Sequence, residues 1–126
     1  MVRSTDFDYG EALAASLQIL RADDPPTAVF AASDAQALGV LEAARQDGLS
    51  VPDDLAVMSF DDTLVAAMAC PPLSAVRRPF EELGREATRV LLDLAQGRQP
   101  ASPRIELATE LVLRTSTSVR RRVNTA

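Results

Sequence analysis

Two short apolar runs, TAVFAA at 27–32 and LAVMSF at 55–60, flank a stretch whose apolar residues recur at helical spacing, and this alternation most constrains the fold. The first run is continuous and rich in strand formers, as expected of a central strand buried on both faces. Ser33-Asp34 is an N-cap signal for a helix through Arg45, with Leu38 and Leu41 as its apolar stripe and Gly48 as a left-handed stop. Val51-Pro52-Asp53-Asp54 then turns the chain into the second strand. Strand, helix, strand with short polar joints is a βαβ unit, which is parallel and right-handed in nearly all cases. The expected class is therefore α/β: a three-layer, mostly parallel sheet with flanking helices.

Further elements extend this unit. Leu13, Leu17 and Leu20 share one face of a helix expected over 10–21, with Asp6 and Asp8 as candidate caps and Asp23-Asp24-Pro25-Pro26 as its end. One or two helical turns are expected over 64–70 before Pro71-Pro72, and a short strand over 73–76. The clearest amphipathic helix spans 80–96: Phe80, Leu83, Ala87, Val90, Leu91 and Leu94 fall on one side, and Gly97 stops it. Residues 104–112 alternate weakly and suit one or two edge strands. The polar segment 115–126, ending in Arg120-Arg121-Arg122, is expected to fray.

Composition narrows the chemistry. A chain of 126 residues has the size of one domain, and no apolar run approaches the roughly 20 residues of a membrane span. The start Met1-Val-Arg-Ser-Thr-Asp carries no signal-peptide pattern, so a cytoplasmic protein without membrane contact is expected. There is no His and a single cysteine, Cys70, which leaves a zinc site or a His-based triad without its groups. All 13 basic residues are Arg, which removes lysine chemistry, and no cofactor is expected. A net charge of −5 has the wrong sign for a surface that binds nucleic acid by itself.

In a parallel sheet, ligands bind beyond the carboxyl ends of the strands. Ser33-Asp34 follows the first strand and Asp61-Asp62 the second, so both polar clusters are expected at one edge. A carboxylate at Asp61 can accept from two neighbouring hydroxyls, each bond contributing about 1.5–3 kcal/mol, which favours a polyol over an apolar ligand. Each residue also has a plainer reading. Asp61 and Asp62 suit the cap of a following turn, Ser33 a helix cap, Asp34 the helix dipole, and Phe7 the core. A different chemistry for the two acids is Mg²⁺ binding in a small phosphoryl-transfer or receiver-like domain.

The segments PTAVFAASDAQALGVLEAARQDGLSVPDDLAVMSFDD, PPLSAVRRPFEELGREATRVLLDLAQG and ELVLRTS, in this order, resemble the C-terminal part of the LacI/GalR family of bacterial transcriptional repressors. The resemblance runs from about Asp6 to Thr117. It implies a partial periplasmic-binding-protein-like (type I) domain over 1–117, with 118–126 a disordered tail, and a DNA-binding headpiece absent from this chain. It implies no enzyme activity but binding of a small-molecule effector, a sugar or sugar derivative. The implied effector contacts are Asp61 as principal hydroxyl-binding carboxylate, Ser33, Phe7, Arg78 and Phe80. Ser33 stands where the family often has Asn, and Arg78 where it often has Gln, which points towards an anionic or phosphorylated effector. A non-functional remnant is the bland alternative.

The resemblance also implies a homodimer, formed by the Leu38 face and by Ala66 to Cys70. It implies that helix 80–96 docks on a subdomain this chain lacks. The isolated chain is thus expected to pack that helix on its own sheet in an unfamiliar way, to self-associate, or to fold poorly.

Overall fold

A computed structural model of the protein describes residues 5–99, 102 and 104–118. It divides into two compact units, Met1–Arg77 with Leu111–Ala126, and Arg78–Glu110. In the first unit α1 (Tyr9–Leu20) leads to β1 (Ala28–Phe30), α2 (Asp34–Gln46), β2 (Ala56–Asp61), α3 (Leu64–Met68) and β3 (Ser74–Arg77). The sheet order is β1-β2-β3-β4, where β4 is Glu110–Val112. β1 pairs with β2 and β2 with β3 in parallel, with Phe30 opposite Met58 and Asp61 opposite Arg77. The expected α/β unit is present, and its two polar clusters do follow parallel neighbours.

The helix boundaries have local causes. Asp8 caps α1 by accepting from the Glu11 amide, and Ser33 caps α2 by accepting from the Gln36 amide at 3.2 Å. Gly48 and Gly97, at φ 71° and 72°, take the left-handed turns that end α2 and the later helix. The core gathers Leu55, Val57, Leu73 and Ala75 from the strands with Ala37, Ala43 and Ala44 from α2, all essentially inaccessible. Small residues on α2 allow α1 to approach it closely, and Leu13, Leu17 and Leu20 of α1 join this core.

Three expectations fail, each for a physical reason. Among the described residues β1 has one sheet neighbour, so it is an edge rather than a central strand, and Phe30 is 59% exposed, its ring in a T-shaped contact with Phe60. Apolar content does not reveal a strand's place in the sheet. Ala66 is fully buried, so within the proposed interface stretch it belongs to the core, while Leu64, Val65, Met68 and Cys70 are exposed. Residues Thr115–Thr117 form a 3₁₀ turn instead of fraying: the Ser116 hydroxyl donates to the Val57 carbonyl at 2.6 Å and accepts from the Ser74 amide at 2.8 Å. Residues 119–126, which hold Arg120 to Arg122, lie outside the described residues.

The second unit is built on α4 (Phe80–Ala95). None of its residues is buried, and Leu83, Leu91 and Leu94 are each about half exposed or more. Ion pairs run along its polar side, Arg85 with Glu81 and Arg89 with Glu86. Such exposed pairs contribute only about 0.3–0.5 kcal/mol each, so charge alone does little to hold this helix. The helix has no buried packing of its own.

Candidate functional site

Asp61 closes β2 at a positive φ of 119°, and Asp62 follows at 59°. Left-handed or more extreme backbone costs a non-glycine residue on the order of 1–3 kcal/mol and persists only where its surroundings enforce it. With Phe7, at φ 41°, these are the non-glycine residues of positive φ among those described. Two of the three are expected effector contacts.

The neighbours of Asp61 are held from both sides. Asp34 is 3% exposed, and its carboxylate accepts from the Ser59 hydroxyl at 2.6 Å and from the Thr63 amide and hydroxyl, each at 2.7 Å. It thereby ties the start of α2 to the loop after β2, a role beyond interaction with the helix dipole. The Asp62 side chain, 3% exposed, lies between two guanidinium groups: Arg77 Nε donates to Oδ2 at 2.7 Å and Arg114 Nη1 to Oδ1 at 2.5 Å. Burial pushes the Asp62 carboxyl up, and hydrogen bonds and charge from Arg114 and Arg77 outweigh it and hold the group below the ordinary carboxylate range. Both its oxygens accept from arginine, an arrangement that disfavours Asp62 as the second Mg²⁺ ligand of the phosphoryl-transfer reading. Among the described residues no group of three or more acids, His or Cys is placed to hold a metal.

Phe7 and Ser33 lie at the same end of the first unit. Gln36 Nε2 donates to the Thr5 hydroxyl at 2.7 Å, while its amide donates to Ser33, so the segment carrying Phe7 is tied to the start of α2. Phe7 is 68% exposed and is not a core residue. Ser33 is buried and serves as the cap, as its plainer reading had it. Hydrogen bonds through Asp34 and Gln36 thus link the segments of Asp61, Ser33 and Phe7. In the second unit the Arg78 guanidinium carbon lies 4.5 Å from the centre of the Phe80 ring, a cation–π contact.

Sequence reasoning missed Arg77, Arg114 and Ser116. A usable signal was the polar triplet Arg114-Thr115-Ser116, one residue beyond the end of an edge strand. Alongside α2 a groove of about 340 Å³ is lined by Tyr9, Leu38, Leu41, Glu42, Arg45 and Cys70. There Arg45 and Gln46 hold the Glu42 carboxyl at about 2.

The sequence matches the periplasmic binding protein-like domain family over residues 2–117. It is 41% identical over 112 residues to the HTH-type transcriptional repressor CytR of Escherichia coli, covering 89% of this chain and 33% of that protein. It is 40% identical to the HTH-type transcriptional regulator CelR of Thermobifida fusca, covering 92% of this chain and 34% of that protein. The solved complex of the regulator CelR with cellobiose superposes with a TM-score of 0.82 at 43% identity, over 88% of this chain and 34% of that one. A putative LacI regulator from Bacillus cereus gives 0.85 at 31% identity, over 91% and 41%. The chain therefore spans about a third of the length of these curated relatives. With a family match across nearly all its residues and LacI-type regulators among its relatives and structural neighbours, the chain belongs to the periplasmic binding protein-like domain family in its LacI/GalR branch.

Proposed function

We propose that this chain is the effector-binding and dimerising part of a LacI-type transcriptional regulator, with Asp61 as the carboxylate that accepts from effector hydroxyls. The observation that carries the reading is the backbone of Asp61: a strained residue at the end of β2, between a pair of buried anchors at Asp34 and Asp62. Strain of this kind collects at ligand sites because the surroundings can spend stability to aim a side chain. The likeness to CelR, solved with cellobiose, supports a sugar as effector class. Ser33, Phe7, Arg78 and Phe80 are the further effector contacts in this reading, and Arg78 is the residue that would favour an anionic sugar.

The protein is read as cytoplasmic, and no helix among the described residues is long and apolar enough to cross a membrane. Operator contact is assigned in this reading to a DNA-binding headpiece, since a net charge of −5 has the wrong sign for binding DNA phosphates by this part alone. The groove on α2 and the exposed Leu64 and Met68 form the proposed homodimer face.

Calorimetric titration with cellobiose, neutral monosaccharides and sugar phosphates tests the site. At least one sugar should bind, and Asp61→Asn should weaken it roughly 10- to 150-fold, the equivalent of one lost charge-assisted hydrogen bond of about 1.5–3 kcal/mol. A sugar bound equally well by Asp61→Asn would remove Asp61 from the site. A chain that binds no sugar would favour another effector class or a remnant.

A further inference from the structure

The grip on Asp62 reaches further than its neighbour. Arg77 is the last residue before the chain leaves the first unit at Arg78, and Arg114 lies just beyond Leu111, where the chain returns. Both donate to one carboxylate, and Arg114 Nη1 also donates to the Leu73 carbonyl at 2.7 Å, fixing it to the loop before β3. Arg77 is in addition the register partner of Asp61 on the neighbouring strand. Within the first unit Asp62 therefore pairs with a residue at the exit of the chain and one near its re-entry, from the position adjacent to Asp61.

We propose that Asp62 is a positioning residue: it enforces the backbone of Asp61 and couples that conformation to the two connecting segments through Arg77 and Arg114. The inference rests on the reading of Asp61 as the hydroxyl-binding carboxylate. An ordinary buried ion pair would serve stability at large. Here two adjacent residues of positive φ are set by a single anchored carboxylate, and the anchors stand at the exit and the re-entry of the chain. Coupling of this kind is reciprocal. Whatever draws on Asp61 shifts the connections, and whatever shifts the connections re-aims Asp61.

Nuclear magnetic resonance on the full 126-residue chain tests this without a ligand. The variant is Asp62→Asn, which keeps the side-chain shape and tolerates the left-handed backbone but loses the charge. The three-bond coupling between the amide and α protons of Asp61 should leave its positive-φ value. Amide exchange at 61–63, Arg77 and Arg114 should accelerate by about tenfold or more, with α1 and α2 unchanged. An unaltered coupling and exchange pattern would overturn the proposal, and so would uniform acceleration of all protected amides, the mark of a general stabiliser. Should Asp62→Asn fail to fold, Arg77→Gln, whose side chain is 45% exposed, carries the test with the same outcomes. The sugar affinity of Asp61→Asn, measured separately, bears only on the role of Asp61 and leaves this test untouched.

Discussion

Gly39 on α2 approaches Tyr9 on α1 so closely that a Cβ at Gly39 would stand 2.7 Å from the Tyr9 carbonyl oxygen and 2.8 Å from the Leu13 amide nitrogen. Both obstacles are backbone and cannot swing aside. Gly39→Ala must therefore push the helices apart, at about 1–3 kcal/mol of overpacking against up to about 1 kcal/mol gained in helix propensity. The expected result is a lower urea midpoint. In α4, a Cβ at Gly84 meets nothing within 4 Å, so Gly84→Ala should raise helical content and stability by about 0.5–1 kcal/mol. The two substitutions, chemically identical, should move circular-dichroism melts in opposite directions.

Asp34 supplies a second stability test. Replacing it with Ala leaves the Ser59 hydroxyl, on a residue with no exposure, without its acceptor, and frees Thr63. The expected loss is about 1.5–3 kcal/mol by denaturant unfolding, with Asp34→Asn intermediate because the amide oxygen can still accept. If Asp34 acted only on the helix dipole, both variants would lose no more than about 1 kcal/mol.

Asp62 predicts a pH dependence with a definite sign. Its folded pKa lies below the unfolded value, so the unfolded state binds more protons in the acid range and stability falls as pH falls. The contribution is complete above the ordinary carboxylate pKa and is lost as pH drops below it through the lower folded pKa. Unfolding free energy measured from neutral pH downwards should decline in that window, and Asp62→Asn should flatten the decline. An unchanged acid limb in Asp62→Asn would mean that Arg77 and Arg114 do not hold the ionised form.

What the sequence made legible was whatever short-range rules govern. Ser33 and Asp8 announced helix starts, Gly48 and Gly97 helix ends, and the spacing of two polar clusters placed them on one edge. Long-range partners were not legible. Nothing local in ELVLRTS says that Arg114 meets Asp62 or that Ser116 reaches Val57, across 52 and 59 residues. Phe30 was misplaced for the same reason: a strand's position at the edge depends on which neighbours it finds. Gly39 was silent because a close approach between helices is a property of the pair.

The charge at Arg78 predicts ligand preference. If Arg78 contributes to the effector site, Arg78→Gln should weaken a sugar phosphate more than the parent neutral sugar, since only the phosphate loses a charge-assisted partner of about 1.5–3 kcal/mol. Its contact with Phe80 sets a second consequence: Phe80→Leu removes the ring under the guanidinium and should weaken the same phosphate to a smaller degree. Equal losses for phosphorylated and neutral sugars would leave Arg78 a packing role.

Two exposed apolar surfaces could form the seam of the proposed dimer, and they can be told apart. On the first unit Leu64 and Met68 of α3 are about three-quarters exposed, and on α4 Leu91 is 66% exposed. Full burial of a Met side chain contributes about 1.5–3 kcal/mol. A two-fold interface buries each such residue twice, so Met68→Arg should weaken a dimer through this face at least about a hundredfold. Sedimentation equilibrium should then find the parent chain dimeric, Met68→Arg monomeric and Leu91→Glu still dimeric. The reverse pattern would make the bare face of α4 the seam, and association would then reflect an unburied helix instead of the dimer proposed for this family member.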